Sequence, residues 1–172
     1  MTKAICMASV MFLANALTVG ADEPATKIEP TKATYVISGL HCPPCTKTVE
    51  TSLQKAKGVR SVKVDWTSKL ATVEFDESVL PAQALAQAIT DTPHLMGGNL
   101  KYGGALSLKV PDLKDEATGK KATEALSKVA GVTTAKADPA QHTVAIEFSN
   151  QGKVTSRQLI DALAAAGLKA SN

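Results

Sequence analysis

The sequence predicts an α+β protein made of two tandem copies of one small βαββαβ unit, each a four-stranded antiparallel sheet covered on one face by two helices. Three observations predict it. Strand and helix periodicities alternate in that order, the pattern repeats after 73 residues, and the chain of 172 residues is long enough for two small domains.

Thr34 to Ser38 is β-prone and leads into Gly39-Leu40-His41-Cys42-Pro43-Pro44-Cys45. From Cys45, Val49, Leu53 and Ala56 recur at helical spacing, so a helix is expected to about Lys57, with Gly58 as its left-handed cap. Val62 and Val64 alternate with polar residues, Asp65-Trp66-Thr67-Ser68 turns, and Ala71, Val73 and Phe75 alternate again, which reads as a hairpin with one buried face. Pro81 opens a second helix, where its missing N–H costs little, and Leu85, Ala88 and Ile89 form the inward stripe. A weak final strand is expected in the glycine-rich stretch 95–104.

A shift of 73 residues carries Leu53, Gly58-Val59, Lys63, Asp65 and Glu74-Phe75 onto Leu126, Gly131-Val132, Lys136, Asp138 and Glu147-Phe148. One inserted residue near Gly152 then brings Leu85, Ala88 and Ile89 onto Leu159, Ala162 and Leu163. The repeated split β-α-β is the ferredoxin-like arrangement. The expected boundaries are a signal peptide over 1–21, a flexible leader over 22–31, and two units over 32–103 and 104–172, joined near Gly103-Gly104.

Met1 to Ala21 supports the first of these. Lys3 precedes an uncharged apolar run that ends Val19-Gly20-Ala21 before Asp22-Glu23, the layout of a secretory signal. An uncleaved anchor is the alternative, though the run falls short of the ~20 residues a span needs. The expected location is therefore periplasmic or secreted. Charge adds an exclusion: a net +3, interspersed with acids and without a basic block, does not argue for nucleic-acid or membrane binding.

Of the three cysteines, Cys6 lies in the expected signal segment, and Cys42 and Cys45 form one C-x-x-C. A pair so close serves local chemistry and does not staple a fold. A strand, a C-x-x-C loop and a helix place both sulfurs at a helix N-terminus, where the dipole and unpaired N–H groups stabilise thiolates. Two facing thiolates suit soft ions of low coordination number, chiefly Cu(I) and Hg(II), whereas structural zinc takes four ligands. Pro43-Pro44 removes two N–H donors from that turn and stiffens it. Two other readings stay open: a thioredoxin-like thiol–disulfide pair, disfavoured because a single strand precedes it, and an interaction module with a vestigial metal site. No Ser/His/Asp set, phosphate loop or carboxylate pair stands out, and an enzyme is not expected.

The frame Gly39-Leu40-His41-Cys42-Pro43-Pro44-Cys45, followed by Val49, Leu53, Gly58-Val59 and the two valine-rich strands, resembles the heavy-metal-associated domain family of copper chaperones, copper-ATPase modules and periplasmic mercuric-ion binding proteins. The family motif is G-M-x-C-x-x-C, and Leu40 replaces its methionine conservatively. The resemblance covers residues 33 to about 96 closely and 105–172 in framework. It implies that Cys42 and Cys45 are the metal ligands, for Cu(I) before Hg(II), and that the partner is a metal-transporting or metal-accepting protein with its own cysteines. It also implies that the loop after the second helix lies beside the metal loop, which makes His94 a candidate third ligand or tuner of exchange, or else a solvated loop histidine. His41 is a further candidate imidazole, with an exposed loop histidine as the plainer account. Met96 reads as a thioether or as core filler, Trp66 as a contact or a shield of the sheet end. Lys47, Lys55 and Lys57 read as a basic docking surface or a solvated helix face. In the second copy, Lys114, Asp115, Thr118 and Leu168 stand where the first has His41, Cys42, Cys45 and His94. That half is expected to keep the fold, lose the metal and act as a structural or docking partner.

Overall fold

The computed structural model describes residues 29–172; the expected signal segment and most of the leader lie outside them. The order of elements is β1 (Thr31–Ser38), α1 (Pro43–Gln54), β2 (Val59–Asp65), β3 (Leu70–Phe75), α2 (Ala82–Thr90), β4 (Gly103–Lys109), α3 (Glu116–Ser127), β5 (Val132–Asp138), β6 (Thr143–Phe148) and α4 (Ser156–Ala165). Among the described residues no helix is long and apolar enough to cross a membrane.

The repeat is written into the backbone. Helix α1 maps onto α3, β2 onto β5 and β3 onto β6 at a displacement of 73 residues. Irregularities repeat as well: the ladders shift register between Val59 and Ser61 and again between Val132 and Thr134. Lys69 and His142, equivalent hairpin positions, both take left-handed backbone at φ +56° and +52°. Such shared departures from regularity mark two copies of one unit more strongly than shared strands do.

The α+β class and the ferredoxin-like unit stand, but the two sheets have merged. A single six-stranded sheet runs β2-β3-β1-β4-β6-β5. Strand β4 is the last strand of the first unit, paired with β1 through Tyr35↔Leu106 and Val36↔Ala105. It is also the first strand of the second unit, paired with β6 through Leu106↔Ile146 and Leu108↔Val144. The expected split between residues 103 and 104 falls at its first bond. The second unit's own fourth strand shrinks to one bridge, Lys109↔Ser171, because β1 already occupies that edge of β4. The physical reason is that a fourth strand and a first strand are antiparallel neighbours in this topology, so one segment with both edges hydrogen-bonded serves both roles and leaves no interior edge unpaired.

The final strand of the first unit is therefore later than expected, at Gly103–Lys109, while 95–100 is exposed loop. Helix α1 also begins earlier, at Pro43, and is capped at Lys55 before Gly58 is reached.

One face of the sheet holds the core. Ala33, Tyr35, Ile37, Val73, Phe75 and Leu106 are all buried there, and Cys45, Val49 and Leu53 come down from α1 at i, i+4, i+8. Gly104 lets α2 lie close: a Cβ there would meet Ile89 Cδ1 at 2.9 Å and the Ala86 carbonyl at 3.0 Å. The two halves are latched by polar groups that periodicity did not reveal. Buried Gln83 donates from Nε2 to the Ser149 carbonyl at 2.7 Å and accepts the Val154 N–H at 3.1 Å. Glu77 accepts both the backbone N–H and the hydroxyl of Ser156, at the start of α4, where a carboxylate also meets the positive end of the helix dipole. Tyr35 donates to the Ala82 carbonyl at 2.9 Å. Burial first, and then the Glu77 charge, hold its phenol well above the usual range, so it remains a donor.

Candidate metal centre

The cysteine loop leaves β1 at Gly39, where φ is +81° and a Cβ would meet the Lys101 carbonyl oxygen at 2.5 Å. Glycine is required there for both backbone sign and contact. Leu40 is buried beneath the loop, in the apolar slot the motif implies. Cys42 then takes the N-cap position of α1 with extended backbone, Pro43 and Pro44 fill the first two helical positions, and Cys45 follows in the first turn. The Cys45 N–H donates back to the Cys42 carbonyl at 3.0 Å.

The cysteine Cα atoms lie 5.4 Å apart and the sulfurs are joined as a disulfide. Cys45 is fully buried on the inward stripe of α1, and Cys42 is half-buried and packs on the core edge. Once reduced, this spacing lets two thiolates face one another across a single ion. No group of three or more His, Cys, Asp or Glu side chains converges as a cation cage among the described residues. The pair thus offers two soft sulfurs over an apolar floor, a donor set suited to a soft metal ion.

His94 does come to the site, across more than fifty residues of sequence. Its ring centroid is 5.6 Å from that of His41 and 4.5 Å from that of Tyr102, on which it stacks. The ring is 8% exposed, so it is not the solvated loop histidine of the alternative reading. Both nitrogens are engaged: Nδ1 accepts the Met96 N–H at 3.2 Å, which leaves Nε2 to donate to the Gly39 carbonyl at 2.9 Å. In this arrangement, with the two sulfurs joined, both ring nitrogens are occupied. The ring ties the base of the cysteine loop to the 94–102 segment. His41 is exposed. Met96 is 64% exposed and is no core filler, whereas Trp66 is half-buried against the core edge, as a shield would be.

Tyr102 was not legible as a site residue. It is fully buried, stacks on His94 and accepts the Leu95 N–H at 3.3 Å. Its one signal in the sequence is an aromatic beside the Gly103-Gly104 pair in an otherwise aromatic-poor chain.

The second copy shows what the same backbone does without sulfur. Asp115 caps α3 by accepting the Thr118 N–H at 2.8 Å, and the Thr118 hydroxyl takes the Asp115 N–H at 3.2 Å in return. The Thr118 N–H, and next its hydroxyl, hold the Asp115 carboxyl below the usual carboxylate range. Leu168 is buried where the first copy places His94.

A family model described as heavy-metal-associated domain matches the chain twice, over residues 34–94 and 107–169. The mercuric transport protein periplasmic component of Shewanella putrefaciens is 37% identical over 62 residues, covering 36% of this chain and 68% of that protein. The copper chaperone CopZ of Enterococcus hirae is 32% identical over 60 residues, covering 35% of this chain and 87% of the chaperone. A probable copper-exporting P-type ATPase of Archaeoglobus fulgidus is 30% identical over 67 residues, which are 39% of this chain but only 8% of the ATPase. Among solved structures, oxidized MerP from Ralstonia metallidurans aligns over 45% of this chain and 96% of its own length, at 26% identity and a TM-score of 0.39. With both repeats matched by one family model, the chain belongs to the heavy-metal-associated domain family, as two fused copies of which one keeps the cysteine pair.

Proposed function

We propose that the protein is an exported carrier that holds one soft cation, Cu(I) before Hg(II), between the thiolates of Cys42 and Cys45 and passes it to the cysteines of a metal-accepting partner. The observation that carries this reading is the pair itself: two sulfurs within bonding reach at a helix start, beside a His94 ring whose two nitrogens are both engaged. The mercuric transport protein and the copper chaperone among the relatives support a soft-metal cargo of this kind. Loading follows reduction of the disulfide by an external dithiol, which is oxidised as the two sulfurs each gain an electron. Transfer then proceeds through a three-coordinate intermediate in which an incoming thiolate binds before Cys42 or Cys45 leaves. Cys42 is the more exposed of the two and is the side from which the incoming ligand enters.

Titration of the reduced protein with Cu(I) against a chromogenic chelator tests the reading. One equivalent per chain is expected, and none for the oxidised form. Two equivalent tight sites per chain would contradict it, as would rapid catalytic reduction of a test disulfide, which would favour the redox reading.

His94 acts here as a positioning residue. His94→Ala removes the hydrogen bonds to the half-buried Gly39 carbonyl and to the Met96 N–H together with the stack on Tyr102, so unfolding stability should fall by about 1–3 kcal/mol. Release of Cu(I) should also quicken as the loop loosens. Faster release with unchanged stability would instead restore a direct ligand role for the ring.

A further inference from the structure

Residues 29–172 hold six sulfur or imidazole side chains able to ligate a soft ion: two cysteines, three histidines and one methionine. Five of the six, Cys42, Cys45, His41, His94 and Met96, gather at one end of the first copy. His94 joins the group together. Its ring lies 5.6 Å from that of His41 and accepts the Met96 N–H at 3.2 Å, and its other nitrogen meets the Gly39 carbonyl at the base of the cysteine loop. The sixth, His142, is engaged elsewhere, with the Leu113 carbonyl at 2.7 Å.

Two of the five do nothing for the fold. His41 is exposed, and its nitrogens make no hydrogen bond among the described residues. The Met96 side chain is 64% exposed and fills no part of the core. A methionine turns about three single bonds, and Gly97 and Gly98 follow at positive φ with open space around them, which leaves the turn room to adjust. The second copy serves as an internal comparison. The displacement that carries His94 onto Leu168 carries Met96 onto Ala170, and His41 falls on Lys114. The free imidazole and the thioether thus occur where the cysteines occur, and are missing where the cysteines are missing.

We infer that Met96 and His41 form a second, outer site for a soft monovalent cation, Cu(I) or its silver analogue, which fills while Cys42 and Cys45 are joined as a disulfide. Thioether sulfur is a soft donor that selects Cu(I), and imidazole also suits copper. Neither is altered when a disulfide forms, whereas the joined cysteines have no thiolate to offer an ion. The inference rests on the soft-cargo reading and extends it: the ion waits beside the pair until reduction opens the inner site. Two neutral donors bind more weakly than two thiolates, so the outer site stays empty against a competing chelator.

Residues 22–172 hold every described element and contain Met96 as their single methionine, which makes its methyl resonance a clean reporter. Silver nitrate in chloride-free buffer is the probe, added to this chain in its oxidised form and, separately, to Cys42→Ser with Cys45→Ser. The Met96 methyl and the His41 ring resonances should shift together and saturate at one Ag(I) per chain in both. Met96→Leu and His41→Ala should each weaken silver binding by at least about tenfold, since even a partner outside the ligand shell is worth that much. His142→Ala should leave it unchanged. Failure of the carrier reading shows separately, as absence of tight Cu(I) binding by the reduced protein while these silver shifts persist. Met96 and His41 resonances that do not move with added silver overturn the inference. So does silver binding that survives both substitutions, or that is lost in His94→Ala but kept in Met96→Leu.

Discussion

Replacement of Cys42 and Cys45 together by serine should abolish Cu(I) retention against a competing chelator, and either single replacement should weaken it by more than about a hundredfold. The bound is set by comparison: losing a partner outside the ligand shell typically costs ~10–100-fold in affinity, and here half the ligands go. Both nitrogens of His94 are committed, and a serine hydroxyl is a hard donor that a soft ion takes poorly. The variants should retain native circular dichroism, because a disulfide between residues three apart closes too short a loop to hold the fold together. A single variant that retained the ion at wild-type affinity would show that the cargo is held elsewhere.

Leu106→Ala should lower stability by about 2–5 kcal/mol, the range for truncating a buried leucine in a core that cannot collapse around the gap. Leu106 is fully buried and pairs with Tyr35 on one side and Ile146 on the other. The informative result is the shape of the transition. Because the strand is common to both halves, denaturant unfolding should stay a single step for wild type and variant, with the midpoint lowered and fluorescence of Trp66 coinciding with circular dichroism. Separate transitions, with the Trp66 probe moving apart from the rest, would mean that the halves fold independently.

Much of this was legible in the sequence because it rests on local periodicity. The order of elements through Phe75 and Ile89, the repeat and the loop carrying Cys42 and Cys45 all follow from spacing that one segment dictates by itself. The merged sheet was not legible. Whether 103–109 closes one unit or opens the next is decided by which edges find partners, and residues far apart in sequence make that decision. Gln83 and Glu77 were missed for a related reason. Gln83 on α2 and Glu77 in the turn before it read as solvated until the second copy packs against them, and nothing in their own segment foretells Ser149, Val154 or Ser156. The periodicity of α2 points to residue 94 near the loop, but the bonds its ring makes to Gly39 and Met96 join segments far apart in sequence and could not be read from it.

The two helix starts also measure what the metal site costs. Position 115 carries an aspartate that caps α3, a contribution of about 0.5–2 kcal/mol in helices generally. Its counterpart at 42 is a cysteine that makes no capping bond. Sulfur stands there at the expense of the helix, as expected where a residue is chosen for its chemistry.

The common strand also bears on descent. A duplicated gene ordinarily leaves each copy free to be lost, split off or moved into another protein. Here the first copy borrows its last strand from the second and the second borrows its first strand from the first, so neither can be excised at a domain boundary without taking part of its sibling. The cysteine-free copy is heritable only together with the metal-bearing one, and selection for the cargo site is enough to preserve both.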